Sequence, residues 1–581
     1  MIKKIASVTV ILFFIALIIG ALCWRAMLYV ETTDEVYGIA QIIGVVQGQK
    51  PFFTSWCIQT GWCLVAPLFA LFHSLNAGSW EGVVLFSRLS YVVFAGLVAS
   101  YIAIKLLKKN KNFAYLAIIA CISYVPHSVY QLGAYQLTPY LLFLVAYILD
   151  NLWQKNDKLY LWIIPGILMG IACINYATLP VMTIITAVFI VFSETGVKKA
   201  LLFSIGVVIV AALFAIWILS EASIEQVFIG LDEILHSPHE AGKGPFWWFT
   251  IKVFVAPFMS LKRLCALLFF VGGSLFAQQN LRKSSECKLY SHFIVYVMFM
   301  TLNCILLLYR SINDIFSFAF WIFTISWILF DPNLKLKKYT VYLLFQLGFV
   351  ITYALTSDNT NCILGFVASG MMTAFIAINA LIDLTKNKPS VSIALIALLV
   401  FTGPGLLNVY RYVYRDEPVL LLNTKVERGI YKNLYTTSER RDFVLKMEDV
   451  ISSNTTSSDH LCVATLEPML YVMSQAKITT PVTWDPQWLG RKTKQGILTS
   501  AKPLLSYFEK LSIPYPNVIA TTNTRLKDFY ENDVYEIKHF LKVNYEPFLF
   551  KEIDGKMSDD LSVFNKNDST KIALWRKKIV Q

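Results

Sequence analysis

Acidic side chains directly follow the first hydrophobic segment of the chain. Glu31, Asp34 and Glu35 belong to the run Glu-Thr-Thr-Asp-Glu-Val-Tyr-Gly at positions 31–38. Carboxylates at the edge of a bilayer are costly to desolvate, so a cluster of them beside apolar sequence requires a partner or a reaction. The reaction that suits such a group is general base catalysis, in which a carboxylate takes the proton of a hydroxyl group. Glu31, at the edge of the run, is expected to be a solvated charge.

A cation is expected to accompany these carboxylates. Arg88 lies about two turns into a later apolar segment, and an arginine at that depth needs a carboxylate, a phosphate or a polar cavity around it. Either Arg88 pairs with Asp34 or Glu35 and fixes the loop, or the group lines a cavity at the outer leaflet where cations hold a lipid phosphate. We expect the second arrangement.

Further cations fall in stretches assigned to the outer face. Arg310, with Asp314 shortly after it, lies at the outer end of a predicted span, and Lys50 and Lys243 lie in outer loops. Each of the three is a candidate ligand of a lipid phosphate. Each also fits an anchor at the headgroup level, which needs no substrate.

A second acidic stretch carries potential metal ligands. Asp232, Glu233, His236 and His239 combine carboxylate and imidazole groups, which suit Mg or Mn. An ordinary solvated loop explains the same residues and is the favoured alternative. A divalent cation is therefore only a secondary expectation.

Composition places these residues in a membrane protein. The 581 residues are 56% hydrophobic and only 15% charged, with a mean hydropathy of +0.56, whereas soluble domains carry about 25% charged residues. The formal net charge of +13 would suggest a nucleic-acid partner in a soluble protein. Because Lys and Arg concentrate in the loops assigned to the cytoplasm, the positive-inside rule accounts for them, and we exclude nucleic acid.

The apolar segments predict an α-helical polytopic membrane protein of about thirteen transmembrane helices. Residues 1–24 are interpreted as an uncleaved signal anchor with a cytoplasmic N-terminus. The later predicted spans are 81–104, 113–130, 137–153, 159–175, 177–193, 199–219, 263–279, 290–309, 315–331, 339–356, 361–383 and 391–410.

The segments assigned to the outer face have their own predicted structure. After the acidic run, a short helix is predicted at 34–46 and an interfacial or re-entrant helix at 59–75. Near the C-terminus, short apolar runs at 461–466 and 517–521 predict strands between helical patterns. The predicted domains are a transmembrane domain, 1–410, with external loops 25–80 and 220–262, and an extracytoplasmic α/β domain, 411–581.

Several of these sequences resemble the glycosyltransferase C superfamily, in the branch of protein O-mannosyltransferases and lipid A aminoarabinose transferases. Thr-Asp-Glu-Val-Tyr (33–37) is similar to the Asp-Glu-x-Tyr start of that family's first external loop, and Ser-Arg-Leu-Ser (87–90) to the start of its second span. Lys-Pro (50–51) resembles part of the loop, and Gly-Ile-Leu-Met-Gly (166–170) resembles the Gly-rich fifth span. The pattern agrees up to about residue 200 and is architectural beyond it.

The resemblance implies an inverting sugar transfer at the outer face, from a polyprenyl-phosphate donor to a saccharide, lipid or protein acceptor. It implies that Asp34 is the base and Glu35 its catalytic neighbour, and that Arg88 is a cation that supports the loop or the donor phosphate. Tyr37 and Lys50, which belong to the matching motifs, are candidate ligands of the substrate or its phosphate. The chain departs from the family in its shortened Lys-Pro motif. It also lacks an Asp-x-Asp before residue 262, so a metal-dependent mechanism is not supported.

A transporter or flippase of a lipid-linked saccharide is the alternative function. It predicts ionisable residues within several spans and two similar halves. The sequence has few mid-span charges and no such halves. The early acidic loop likewise argues against a polysaccharide polymerase or ligase, which would rely on a large late loop.

Overall fold

The computed structural model describes two compact units of the chain. The described residues are 16, 19–57, 59–107, 131–155, 158–192, 196–235, 336–356, 363–384, 413–465, 467–483, 507–523, 541–557 and 564–579, with isolated positions between 251 and 329. The helical unit consists of Met1–Arg25, Ser90–Ala212 and Pro245–Tyr412. The mixed unit consists of Ala26–Leu89, Leu213–Gly244 and Val413–Gln581.

Helices dominate the described residues. Residues 19–26 end a first helical stretch. The bounded helices that follow are α1 (Asp34–Val46), α2 (Trp62–Leu75), α3 (Val83–Leu107), α4 (Ala134–Lys155), α5 (Ile163–Asn175), α6 (Pro180–Ile190), α7 (Val197–Leu219), α8 (Ile224–Leu235), α9 (Leu336–Thr356), α10 (Ile363–Ala368), α11 (Gly370–Leu384), α12 (Ser438–Ser452) and α13 (Met469–Met473).

Three helices among the described residues are long and apolar enough to cross a membrane by length and composition: Val83–Leu106, Val197–Leu219 and Lys338–Leu355. The predicted spans that fall on described helices are 81–104, 137–153, 159–175, 177–193, 199–219, 339–356 and 361–383. The predicted spans 1–24, 113–130, 263–279, 290–309, 315–331 and 391–410 lie wholly or mostly outside the described residues. The total of about thirteen therefore stays a prediction.

Glycines allow α5 and α7 to cross closely within the helical unit. A Cβ atom added to Gly166 would lie 2.0 Å from the carbonyl oxygen of Phe203, and one added to Gly206 would lie 2.4 Å from that of Ile163. One turn after Gly166, Gly170 faces the side chain of Val210. Small residues spaced in this way let the backbones of membrane helices approach each other, which explains the Gly-rich sequence of α5.

A five-stranded sheet forms the centre of the C-terminal part of the mixed unit. Its strands are β3 (His460–Val463), β4 (Lys477–Ile478), β5 (Val518–Thr522), β6 (Tyr545–Met557) and β7 (Phe564–Lys577), and a separate pair consists of β1 (Thr424–Lys425) and β2 (Tyr435–Thr436). The strand order is β4-β3-β5-β7-β6, with β3 parallel to β4 and β5, and β7 antiparallel to β5 and β6. The C-terminal part is α/β, as predicted.

The sequence of this region explains the two elements at its core. All residues of β5 are buried, and its run Val-Ile-Ala-Thr-Thr lacks the polar alternation of a half-exposed strand. The Thr437 hydroxyl accepts a hydrogen bond from the backbone nitrogen of Arg440, at 3.3 Å, and so caps α12. The helix packs against β6 and buries Phe443, Val444, Met447 and Ile451.

Residues 26–82, which precede α3, also belong to the mixed unit. The backbone nitrogen of Tyr29 donates to the carbonyl of Tyr435, in β2, at 2.8 Å. At β4, the Gln49 side chain donates to the carbonyls of Ile478 and Thr480, each at 3.2 Å. The acidic run and α1 are therefore fixed to the α/β part of the chain by hydrogen bonds on both sides.

The glycine crossing gives a test of the helical unit. Gly166→Ala should lower the free energy of unfolding by about 1–3 kcal/mol, because its Cβ would force two backbones apart. Gly96→Ala on α3 is the matched control, since a Cβ there meets nothing within 4 Å. Thermal unfolding of both purified variants measures the effect. An equal melting temperature in the two variants would contradict the proposed close crossing.

Candidate functional site

The carboxylate of Glu31 caps the N-terminus of α1. It accepts hydrogen bonds from the backbone nitrogens of Thr33, at 2.9 Å, and Glu35, at 2.8 Å, and from the Thr33 hydroxyl. Glu31 is fully buried, so the expectation of a solvated edge charge was wrong. The physical reason is that the first N–H groups of a helix need an acceptor, and the Thr33 side chain forms no cap bond here.

Glu35 and Arg88 form a fully buried, bidentate ion pair. Arg88 Nε donates to Glu35 Oε1 and Arg88 Nη2 to Glu35 Oε2, both at 2.6 Å. The remaining nitrogen, Nη1, donates to the carbonyls of Ala26, Leu28 and Tyr29 at 3.0, 2.6 and 3.2 Å. The guanidinium also lies 3.7 Å from the centre of the Tyr29 ring. These contacts correspond to the alternative in which Arg88 pairs with a carboxylate and fixes the loop.

The ion pair has a structural role, because all three guanidinium nitrogens of Arg88 donate hydrogen bonds within the protein. Burial raises the pKa of Glu35 above its usual value, and the neighbouring Arg88 opposes that rise. Two charges removed from water are tolerated only when geometry and hydrogen bonds compensate both, which the bidentate contact does here. The pair thus ties the first turn of α1 to the first turns of α3.

Asp34 is the carboxylate of this group that reaches solvent, with 32% of its side chain exposed. The Tyr414 hydroxyl donates to Asp34 Oδ2, and Arg415 Nη2 lies 3.1 Å from the same oxygen. Burial and the charge of Glu31 raise the pKa of Asp34 to about 6, while Arg415 and the Tyr414 hydrogen bond act against the rise. A carboxylate with this pKa is ionised at neutral pH and is a stronger base than an ordinary aspartate.

The sequence patterns did not indicate a role for Tyr414 or Arg415. They belong to a segment, residues 413–416, that follows the last predicted span. The Asp416 carboxylate anchors this segment, because it lies 2.9 Å from Arg440 Nη1 and accepts from the backbone nitrogen of Val30 at 2.8 Å. The sequence feature that could have indicated this segment is its run of tyrosines and charged residues, Tyr-Arg-Tyr-Val-Tyr-Arg-Asp at 410–416.

Lys50 is paired rather than open to solvent. Its Nζ lies 3.0 Å from Glu221 Oε1, and only 8% of the side chain is exposed. The same nitrogen lies 4.3 Å from the centre of the Trp217 ring. Lys50 therefore belongs to a cation, carboxylate and indole group at the end of α7, and it makes no described contact with the acidic run.

Tyr37 lies one turn beyond Asp34 on α1. Its hydroxyl is 3.1 Å from Cys57 Sγ, and its ring packs edge-on against Trp62 with centroids 6.0 Å apart. Its carbonyl accepts a hydrogen bond from the Thr483 hydroxyl at 3.4 Å. Tyr37 thus joins α1 to the start of α2.

The predicted metal ligands and outer cations are described only in part. Glu233 pairs with Lys510 at 3.0 Å, and Asp232 lies on the same helix, α8. Four predicted residues lie outside the described part of the chain: His236, His239, Lys243 and Arg310. Within the described part, no group of three or more His, Cys, Asp or Glu residues has the arrangement of a metal site.

Comparison with known proteins finds distant similarity to solved structures. No model of a protein family matches the sequence, and no curated protein sequence does. The chain is similar to the crystal structure of the Archaeoglobus fulgidus oligosaccharyltransferase in complex with zinc and sulfate, at 13% sequence identity and a TM-score of 0.43. The similarity covers 90% of this chain and 69% of that one.

The buried ion pair gives a prediction about stability. Arg88→Met should lower the free energy of unfolding by about 3–5 kcal/mol, because it leaves Glu35 buried without its cation. The double variant Glu35→Gln/Arg88→Met removes both charges and should recover a large part of that loss. Melting temperatures of the purified variants test this.

The control is Arg428→Met, which removes an exposed bidentate pair with Asp449 at 2.7 Å. Exposed pairs contribute little to stability, so this variant should unfold close to the wild type. A single Arg88 variant as stable as the Arg428 variant would contradict the structural role of the pair.

Proposed function

We propose that this chain is a membrane glycosyltransferase that moves a sugar from a polyprenyl-phosphate donor to an acceptor hydroxyl at the outer face, with Asp34 as the base. The proposal rests on one observation, that the three carboxylates of the acidic run have different surroundings. Glu31 and Glu35 are buried and engaged in fixing the backbone, whereas Asp34 is partly exposed and has a raised pKa.

The chemistry assigned to Asp34 is a proton transfer coupled to substitution at the anomeric carbon. The proton of the acceptor hydroxyl passes to the Asp34 carboxylate as the acceptor oxygen forms a bond to that carbon. The bond from the carbon to the phosphate oxygen breaks, and its electron pair leaves with the polyprenyl phosphate. Attack opposite the leaving group inverts the anomeric configuration.

Glu35 and Arg88 act in this proposal through the backbone that they fix. Because the ion pair is buried, neither side chain needs to touch substrate for the reaction to depend on it. It sets the position of the first turn of α1 and therefore of Asp34. A base must lie within hydrogen-bond reach of the proton that it takes, so an error of about 1 Å in this turn would be costly.

The donor phosphate needs cations at the headgroup level, because negative charge develops on it as it leaves. Lys50, Lys243 and Arg310 are the proposed ligands, and Lys50 would have to exchange its contact with Glu221 for the phosphate. The acceptor remains a saccharide, lipid or protein hydroxyl. The carboxylate base functions without a metal, so Mg or Mn is not part of the proposal.

The base is tested by Asp34→Asn, which keeps the shape of the side chain and removes its basicity. Transfer from a polyprenyl-phosphate sugar in detergent or nanodiscs should fall by about 100-fold or more. Asp449→Asn, at an exposed carboxylate on α12, is the control and should transfer like the wild type. Wild-type transfer by the Asp34 variant would refute the assignment.

The same assay separates the transferase from the alternative flippase. A transferase forms a glycosylated product in detergent, where there are no two sides of a membrane. A flippase of a lipid-linked saccharide forms no product and moves its substrate only across a sealed bilayer. Product formation in detergent therefore supports the first function and excludes movement alone.

The raised pKa of Asp34 predicts the pH dependence of transfer. Its ionised form is the base, so kcat/KM should reach a plateau above about pH 7, be half of that plateau near pH 6, and fall about tenfold per pH unit at lower pH. An aspartate with the usual pKa of 3.8 would keep nearly full activity down to about pH 5. A profile without a decline between pH 7 and pH 5 would contradict the assignment of the base.

A further inference from the structure

The two partners of Asp34 bind the same oxygen of its carboxylate. The Tyr414 hydroxyl donates to Oδ2, and Arg415 Nη2 lies 3.1 Å from Oδ2. Among the described residues, no hydrogen bond is made to Oδ1 of Asp34. Oδ2 is thus the fixed oxygen, while about a third of the side chain as a whole reaches solvent, with 32% exposed.

The backbone of Arg415 is held in an unusual conformation that aims its side chain at the acidic run. Its φ of 55° is in the left-handed region, which a residue with a side chain occupies only when its surroundings require it. The carbonyl of Arg415 accepts a hydrogen bond from Arg440 Nη1 at 2.6 Å. The next residue, Asp416, is a buried carboxylate paired with the same arginine.

Arg415 also contacts the residues that precede Asp34. Its Nη1 donates to the Thr33 hydroxyl and lies 3.5 Å from Glu31 Oε1. Its guanidinium lies 4.8 Å from the centre of the Tyr414 ring. The arginine is thus held between two carboxylates and a ring, and its own orientation is fixed.

We propose that Tyr414 and Arg415 are positioning residues that bind Oδ2 of Asp34 and thereby present Oδ1 to the acceptor hydroxyl. The proposal rests on the proposed function, because it assigns the direction from which the acceptor approaches. It also makes residues 413–416, which are about 380 positions from Asp34 in the sequence, a necessary part of the active site.

The proton transfer is consistent with this arrangement. The proton of the acceptor hydroxyl goes to Oδ1, so Oδ2 becomes the carbonyl oxygen of a neutral acid and still accepts from Tyr414. Arg415 then loses part of its interaction with Asp34, but Glu31 remains beside it as a counter-charge. Burial raises the pKa of Tyr414 well above its usual value, so its hydroxyl stays a donor throughout.

The charged and titratable groups that face Asp34 act in opposite directions. Glu31 opposes its ionisation, whereas Arg415 and Tyr414 favour it. Loss of either positioning residue should therefore raise the pH at which Asp34 ionises, and loss of the charge of Glu31 should lower it. If these residues acted only in folding, their loss would not shift the pH at which Asp34 ionises in these two opposite directions.

The first measurement is independent of transfer activity. In the full-length protein in nanodiscs, a carbodiimide modifies the protonated form of Asp34, and mass spectrometry gives the extent of labelling against pH. Tyr414→Phe and Arg415→Gln should each move the midpoint upward by about one pH unit, the size expected from a lost hydrogen bond to a charged group. Glu31→Gln should move it downward.

Matched controls make the same chemical changes away from Asp34. Tyr515→Phe removes a hydrogen bond, 3.1 Å long, from a partly buried tyrosine to Glu509, and Arg428→Gln removes the exposed pair with Asp449. Both should leave the midpoint unchanged. Melting temperatures of all variants identify any that fail to fold.

The second measurement is the kinetics of transfer. Tyr414→Phe should lower kcat by about ten- to a hundredfold with little change in KM, because the base is misplaced while the substrates still bind. The pH at which transfer declines on the acid side should rise together with the labelling midpoint. Arg415→Lys keeps the charge and should retain more kcat than Arg415→Gln.

The outcomes separate this proposal from the proposed function. If Asp34→Asn abolishes transfer but Tyr414→Phe and Arg415→Gln keep the wild-type midpoint and kcat, the positioning role is refuted and the base stands. If Asp34→Asn transfers normally, the proposed function fails and the positioning role fails with it. Shifted midpoints together with a selective loss of kcat support the positioning role.

Discussion

The acidic loop depends on the buried pair of Glu35 and Arg88. One guanidinium binds both oxygens of a carboxylate on α1 and three backbone carbonyl oxygens before it, those of Ala26, Leu28 and Tyr29. Arg88 lies in the first turns of α3, so this contact joins two helices and the strand-like segment between the first hydrophobic stretch and α1. Breaking it would leave a charge without a partner in a place that water does not reach.

The neighbouring carboxylates have different functions because their surroundings differ. Glu31 completes the hydrogen bonds at the start of a helix, and Glu35 neutralises an arginine. Asp34 is displaced by one residue from Glu35, which turns its side chain away from the pair and toward Tyr414 and Arg415. Its raised pKa follows from burial next to Glu31. Glu31 and Glu35 thus both fix the backbone, and Glu31 in addition raises the pKa of Asp34, as the proposed role of a base requires.

Local sequence patterns predicted the helices and strands, which depend on residues close to one another in the chain. The short helix after the acidic run is found at Asp34–Val46, a helix at Trp62–Leu75 falls within the stretch 59–75 predicted to be helical, and the C-terminal strands lie near their predicted positions. The requirement that Arg88 have a carboxylate or phosphate partner also followed from its depth in an apolar segment.

Contacts between distant parts of the chain were not predictable in this way. Nothing in the acidic run indicates that Tyr414 and Arg415 bind Asp34, and the burial of Glu31 depends partly on Tyr431, whose hydroxyl donates to the Glu31 carbonyl at 2.8 Å. Hydrophobic periodicity specifies which face of an element is buried, but it does not specify the partner. Residues 26–80 and 220–244 of the two predicted external loops accordingly belong to the mixed unit together with the C-terminal residues.

The role proposed for Asp34 is best tested by a structure of the protein in complex with a polyprenyl-phosphate sugar analogue and an acceptor. We predict that the acceptor hydroxyl lies about 2.6–3.2 Å from Oδ1 of Asp34, with Oδ2 still bound by Tyr414 and Arg415 and the donor phosphate on the far side of the anomeric carbon. An acceptor hydroxyl bound elsewhere, with Asp34 out of reach, would contradict it.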